Sequence, residues 1–297
     1  MKLTNITKIY NNKKVLDDID FSFENSNIVG LIGKNGVGKT TLMKIMTGNL
    51  TNYQGQVFRN CRIGYSIEEP KLYQNKSGYE NIKIFSYILT GELDKNYLSM
   101  LLESFDMTNY INKKVKKYSM GMKQKLSIVL ALINKPQILI LDEPTNGMDP
   151  DGSVNILNKI KELSNKFDIR ILISSHKLED IEMICTRALF LKDGKFVENI
   201  DMTSQKGSWT VIKTHSSDFD SAKNTLENIF QIEESSNENN SIFITYTEDH
   251  SEIIKVLAQV NIFPTSIYNE TKTLRNTYFN INKGGSNEHS LYSDIRY

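Results

Sequence analysis

Apolar positions along the chain fall into short blocks whose spacing changes several times. Ile19, Phe21 and Phe23 alternate with Asp20, Ser22 and Glu24, which is the period of a strand with one buried face. The run NIVGLIG at 27–33 and the run ILIL at 138–141 are continuous, and apolar blocks that short predict strands buried on both faces. Between them the pattern predicts a helix from about Lys39 to Gly48 and two short strands within 55–67. Over 78–133 the period lengthens to that of helices, with Ile82, Phe85 and Leu89 and then Leu126, Val129, Leu130 and Ile133 on common faces. Asp149-Pro150 is a cap and first-turn pair, and it opens a helix whose stripe is Ile156, Ile160, Leu163 and Phe167. Strands at 169–174 and 187–191, with KDG at 192–194 as a turn, complete a parallel-type α/β core. The segment at about 77–135 is then a helical insert within it.

The pattern restarts after a composition shift near Thr203, where TSQKGS reads as a linker. The order is strand (209–213), helix (Phe219, Ala222, Leu226, Ile229, Phe230), strand, strand (241–246), helix (Ile253, Ile254, Leu257) and strand (262–268). A βαββαβ order predicts a small α+β ferredoxin-like domain. A last short helix at about 271–281 precedes NKGGSNEHS, which has the composition of a flexible tail. The expected organisation is therefore one α/β domain over 1–203, an accessory domain over 208–282 and a tail over 283–297.

Composition narrows the functions this pattern can serve. A net charge of +1 with 24% charged residues gives no basic field, and KKVKK at 113–117 is too short a run to argue for a nucleic-acid partner. Cys61 and Cys185 are far apart and outside any metal-ligand spacing, so neither a disulfide framework nor a zinc site is expected. The N-terminal MKLTNITKIY lacks the apolar core of a signal peptide, and no apolar run approaches the roughly 18 residues of a membrane span. Work at a membrane would need a second polypeptide to supply the spanning helices.

The chemistry gathers where apolar runs end. GKNGVGKTT places Gly33, Gly38, Lys39 and Thr40 at the G-x-x-x-x-G-K-[ST] spacing, after a buried strand and before a helix. Glycines let successive N–H groups turn toward an anion, the helix N-terminus adds its positive end, Lys39 reaches phosphate oxygens and Thr40 offers a hydroxyl to Mg²⁺. Asn35, Gly36 and Thr41 belong to the same loop and helix start, so the whole segment reads as an ATP-type triphosphate site. The buried run 138–141 ends on two adjacent carboxylates, Asp142 and Glu143, a costly placement unless both are used. Asp142 is expected to hold the Mg²⁺ hydration shell, and Glu143 to act as general base on the attacking water.

With YSMGMKQKL at 118–126 the chain resembles the ATP-binding cassette (ABC) ATPases. In order along the sequence, Tyr10 matches the aromatic that stacks on adenine, Ser119 and Gly121 match the signature serine and glycine, NGMD ending at Asp149 matches the D-loop, and His176 in ISSHKLED matches the switch histidine. The resemblance spans 1 to about 200 and implies a P-loop, ABC-type nucleotide-binding domain with a helical subdomain. It also implies a head-to-tail dimer that sandwiches ATP between one subunit's phosphate loop and the other's signature. Met120 and Met122 stand where the family's signature has glycine and glutamine, and these two, with Met148, read as packing residues. Glu68, in GYSIEEPKLY, aligns with the family's glutamine before the helical insert, so the resemblance makes it a candidate Mg²⁺ and catalytic contact facing a permease.

KTLRNTYFNI at 272–281 resembles the last helix of the extra domain of ABC-2 exporter ATPases. EEPKLYQNKSGYENIK, KKYSMGMKQKL and DEPTNGMDPDG together resemble the bacitracin and lantibiotic self-protection ATPases of that group, and above all the ATPase subunits of phenol-soluble modulin exporters. That resemblance implies a peripheral subunit on the cytoplasmic face of the membrane. It would be held by an integral permease, paired with a second copy or a paralogue, and would drive export of amphipathic peptides and self-protection. Alternatives are an ABC-2 ATPase for another small cargo, a soluble ABC protein of translation or DNA repair, and a non-catalytic binding module. Translation members carry two cassettes, repair members carry a long coiled-coil or zinc insert, and the presence of both Glu143 and His176 argues for catalysis.

Overall fold

The computed structural model describes residues 1–67, 71–202, 208–237, 239–271, 274 and 278. They form two compact units, Met1–Met202 and Thr203–Tyr297. In the first, the continuous apolar blocks become central strands of a six-stranded sheet in the order β5-β6-β7-β3-β8-β9. These strands are β3 (Ile28–Ile32), β5 (Ile63–Ser66), β6 (Ile138–Asp142), β7 (Arg170–Ser174), β8 (Arg187–Lys192) and β9 (Lys195–Asp201). Every residue of β3 and β6 is buried, because helices and a second sheet cover both faces. The sequence pattern predicts a parallel-type core, and β5, β6, β7, β3 and β8 are parallel, but β9 departs from it by returning antiparallel to β8 across Asp193-Gly194, both at positive φ.

The second sheet pairs β1 (Lys2–Tyr10) with β2 (Lys13–Ser22) and β4 (Gln54–Phe58), all antiparallel. β1 carries no strand signal in the sequence. Its pairing slips between Leu3 and Ile6 and again between Ile6 and Lys8, with Asn5 at φ 53°, so inward residues are not spaced by two. Leu3, Ile6, Leu16 and Ile19 from this sheet share one core with Leu42 and Met43 of α1 (Lys39–Thr47) and with Leu31, Ile140 and Leu172 of the larger sheet.

The helical insert comprises α2 (Gly78–Thr90), α3 (Lys95–Ser104), a 3₁₀ turn at Val115–Lys117 and α4 (Met120–Leu132). Ser77 and Glu80 form a reciprocal capping box that starts α2. Leu126 and Val129 of α4 are fully buried. Leu89 of α2 differs from its periodicity: it is exposed beside Tyr87 and Ile88, because the helix buries only Gly78, Asn81, Ile82 and Ser86. After the insert come α5 (Pro150–Phe167) and α6 (Leu178–Ile184), and the last stripe residue of α5, Phe167, is also partly exposed, edge-on to Tyr97.

The second unit folds as β10 (Ser208–Lys213), α7 (Phe219–Glu227), β11 (Ile232–Ser236), β12 (Ser241–Thr245), α8 (Ser251–Gln259) and β13 (Ser266–Thr271). Its sheet is antiparallel in the order β11-β12-β10-β13, the split βαβ arrangement, and Ile212, Ile242 and Ile244 pack under Phe219, Leu226, Ile253 and Leu257. Two elements shift from their sequence pattern. Ile229 is exposed beyond the end of α7, and the last strand starts at Ser266, not at 262, because Pro264 has no N–H for a ladder. Of the helix expected at 271–281, Thr271 is instead the last residue of β13, Leu274 and Tyr278 are helical, and its other positions, the 283–297 tail and Glu68 lie outside the described residues. No helix among the described residues is long and apolar enough to cross a membrane.

The docking of α4 on the sheet depends on Gly64, where an added Cβ would sit 2.0 Å from the Ala131 carbonyl oxygen. Backbone cannot give way as a flexible side chain can. Gly64→Ala is expected to lower stability by about 1–3 kcal/mol in urea unfolding.

Candidate nucleotide site

The parallel strands β3, β6 and β7 deliver their C-terminal ends to one edge of the sheet, where an open cavity of about 560 Å³ lies. Its wall contains Asn35, Gly36, Gly38, Lys39, Thr40 and Thr41 from the loop after β3, Asp142 and Glu143 from the end of β6, and His176 after β7. Lys34 and Asn146 also line it; neither stands out in the sequence, although they belong to GKNGVGKTT and NGMD.

The loop is bent by Gly36 at φ 78° and Gly38 at φ 118°, and a Cβ on Gly38 would approach the Val15 carbonyl oxygen to 2.8 Å. Gly38 caps α1 without any side-chain hydrogen bond, whereas Ser77, Ser119 and Asp149 cap α2, α4 and α5 with theirs. The first turn of α1 also lacks an acidic residue. The positive end of α1 is therefore left for an external anion. Lys39 Nζ, buried, donates to the Gly33 carbonyl at 2.6 Å and lies 3.8 Å from Glu143 Oε1.

Asp142 is 3% exposed and accepts two hydroxyl hydrogen bonds, from Thr40 Oγ1 at 2.8 Å and from Ser174 Oγ at 2.7 Å. Ser174 is a site residue missed from the sequence. Its hydroxyl also accepts the Glu143 N–H at 3.0 Å, so one buried oxygen aligns both carboxylate residues. Burial, and secondarily the Asp142 charge, push the Tyr65 phenol pKa up and keep it neutral on the adjacent strand. Glu143 takes φ 51°, a left-handed conformation uncommon for a residue with a side chain. Its Oε2 lies 2.6 Å from His176 Nδ1 and accepts the His176 backbone N–H at 3.2 Å.

The remaining sequence candidates stand apart from this wall. Ser119 and Asp149 are exposed caps of α4 and α5, accepting from Met122 N and Gly152 N at 3.3 Å each. A Cβ on Gly121 would meet Met148 Cε at 3.1 Å, so Met148 does pack, between Gly121 and Gly152. Met120 does not fit its reading as a packing residue, being 42% exposed at the start of α4 beside Gly147. Tyr10 is 44% exposed at the end of β1, with Lys8 Nζ 4.5 Å from its ring centroid.

A buried cation, an unfilled helix N-terminus and two carboxylates at the end of a parallel sheet are the parts of a nucleoside-triphosphate hydrolase. The sequence profile of the ABC transporter family matches residues 16–146. The chain is 32% identical to the bacitracin transport ATP-binding protein BcrA of Enterococcus faecalis over 295 residues, which cover 95% of this chain and 96% of that protein. It is 37% identical to the lantibiotic transport ATP-binding protein SrtF of Streptococcus pyogenes over 206 residues, covering 66% of this chain and 89% of that one. Among solved structures it matches an ATP binding subunit of an ABC transporter with TM-score 0.60 at 26% identity, over 69% of this chain and 91% of the other. The fold is also that of the cassette MJ0796, whose dimeric structure holds ADP and Pi, with TM-score 0.60 at 21% identity over 68% of this chain and 98% of that one. The chain belongs to the ABC transporter ATPases and is an ATP-binding subunit related to the bacitracin and lantibiotic transport proteins.

Ser174→Ala removes the acceptor of the buried Glu143 N–H as well as a donor to Asp142. It is expected to cost about 1–3 kcal/mol in urea unfolding, more than a surface serine would.

Proposed function

We propose that this subunit hydrolyses Mg²⁺-ATP at the β3–β6–β7 edge to drive export of amphipathic, membrane-active peptides through a separate permease. The observation that carries the catalytic part is the position of Glu143, held between Lys39 and His176 on the wall of the phosphate-loop cavity. Lys39 and the open N-terminus of α1 hold the phosphate chain and offset its charge. Glu143 takes a proton from the attacking water, and His176 fixes the orientation of that carboxylate through the hydrogen bond at 2.6 Å.

Thr40 and Asp142 fit a hard divalent cation, because both present oxygen and already face each other at 2.8 Å. Two oxygen donors and no further cluster of His, Cys, Asp or Glu among the described residues suit Mg²⁺, which keeps several waters of its own. Bound there, the ion would offset phosphate charge.

Ser119, Gly121 and Asp149 do not line this subunit's own cavity, which supports their use by a second ATPase subunit, a copy or a paralogue. Tyr10, open to solvent at a strand end, supports stacking on the adenine. The membrane reading rests on the relatives: a protein without a spanning helix among its described residues would reach the cytoplasmic face of the membrane through an integral permease. Bacitracin and lantibiotic transport by those relatives supports a peptide cargo, with phenol-soluble modulins or bacteriocin-like peptides as the specific reading and self-protection as its consequence.

Lys39→Ala is expected to weaken ATP binding on the order of 10- to 100-fold, as loss of a charge-assisted contact would, measured with a fluorescent ATP analogue. Glu143→Gln keeps size and one acceptor, so it should bind ATP within about threefold of wild type yet lose at least about 100-fold in turnover. Wild-type turnover in that variant would remove Glu143 as the base. For the cargo, a strain lacking this chain should retain amphipathic peptides in the cell and become more sensitive to them. Unchanged peptide export and unchanged sensitivity would rule the peptide reading out.

A further inference from the structure

A third buried carboxylate lies just behind the site. Asp180, in α6, is 6% exposed, and no cation among the described residues forms an ion pair with it. Its Oδ2 accepts two hydroxyl hydrogen bonds instead, from Thr145 Oγ1 at 2.5 Å and from Ser175 Oγ at 2.9 Å. Thr145 and Ser175 are themselves buried, at 1% and 0% exposure. A carboxylate removed from water without a counter-ion is costly, and two hydroxyl donors offset that cost only in part. Its placement therefore points to a role beyond packing.

The two donors belong to the two loops that meet at Glu143. Thr145 is two residues past Glu143, in a tight turn closed by Asn146 N–H to the Glu143 carbonyl at 3.1 Å and continued by Met148 N–H to the Thr145 carbonyl at 3.2 Å. Ser175 immediately precedes His176, and its hydroxyl accepts the Lys177 N–H at 3.0 Å. The contacts close a ring that runs from Asp180 through Thr145 to Glu143, across to His176, and back through Ser175. Lys39 touches it only through Glu143, at 3.8 Å, and Thr40 bonds Asp142 instead.

We infer that Asp180 is a positioning residue for hydrolysis, a buried bracket that holds the loop of His176 against the loop of Glu143 and so keeps their 2.6 Å contact. It does not touch the nucleotide. This rests on the reading of Glu143 as base and His176 as its orienting partner. Asp180 acts through that pair, so its effect falls on turnover and not on ATP affinity.

The test is steady-state Mg²⁺-ATP hydrolysis and fluorescent-analogue binding by the full chain, as wild type, Asp180→Ala, Asp180→Asn, His176→Ala and the double variant His176→Ala/Asp180→Ala. Misplacing a reacting group by a fraction of its contact distance costs on the order of 10- to 100-fold, and Asp180→Ala is expected to lose kcat by that factor with ATP binding within about threefold. Asp180→Asn, whose amide oxygen still accepts from both hydroxyls, should recover to within about fivefold of wild type. In the His176→Ala background the Asp180→Ala change should add less than about twofold, because partners that act as a unit are not additive. An equal factor in both backgrounds, an equal loss of ATP binding, or unchanged turnover in Asp180→Ala overturns the proposal. Wild-type turnover in His176→Ala would instead overturn the reading on which it rests. Should Asp180→Ala not fold, Ser175→Ala carries the same comparison, with a several-fold loss of kcat expected and unchanged turnover overturning the bracket.

Discussion

Everything at this site depends on keeping an ammonium and two carboxylates out of water at the end of a parallel sheet. Lys39 and Glu143 are each about 7% exposed in their side chains, and Asp142 is still more deeply placed. Such a group of charges survives only where each finds close partners, and the partners come from backbone groups, hydroxyls and one imidazole. The Gly33 carbonyl takes the ammonium, Thr40 and Ser174 satisfy Asp142, and the His176 ring and N–H satisfy one oxygen of Glu143. Because β3, β6 and β7 are parallel, all these groups emerge at the same edge, and a register slip of one residue would turn them away from it.

The same economy separates four helix N-termini into two kinds. α2, α4 and α5 satisfy their first N–H groups with Ser77, Ser119 and Asp149, while α1 starts on a glycine and leaves its own open. The open end faces the cavity. Ser119 and Asp149 serve as local caps that remain exposed, so the same side chains that stabilise α4 and α5 are free to be reached by another molecule. Hydroxyls recur as the glue behind the carboxylates, with Ser174 linking Asp142 to Glu143 and Ser175 and Thr145 meeting at Asp180. They suit this position because one oxygen both donates and accepts.

Strong local signals made a large part of this legible from the sequence. The buried blocks 27–33 and 138–141 are read directly because a strand covered on both faces leaves no polar position, and they correspond to β3 and β6. The glycine spacing before Lys39 specifies a loop that only glycines can follow, and the paired acids at 142–143 declare an unusual charge at the edge of a core. Capping pairs such as Asp149-Pro150 placed the start of α5, since they act within a single turn. These are all signals carried by residues near one another along the chain.

What the sequence could not carry is long-range. β1 is hidden because bulges break its alternation, β9 because an antiparallel return depends on its neighbour in the sheet, and the exposure of Leu89 and Met120 because burial is decided by what lies opposite. Ser174, Ser175 and Asp180 look like ordinary polar residues beside a strand and in a short helix. Folding brings Ser174 to Asp142, 32 positions away, and Asp180 to Thr145, 35 positions away. Local sequence alone determined the phosphate loop and the helices, because their hydrogen bonds close within a few residues, and it marked the strand that carries the acids by an unbroken apolar run. Which hydroxyl meets which carboxylate was decided only by the order of strands in the sheet, since that order sets the partners each side chain finds when water is excluded.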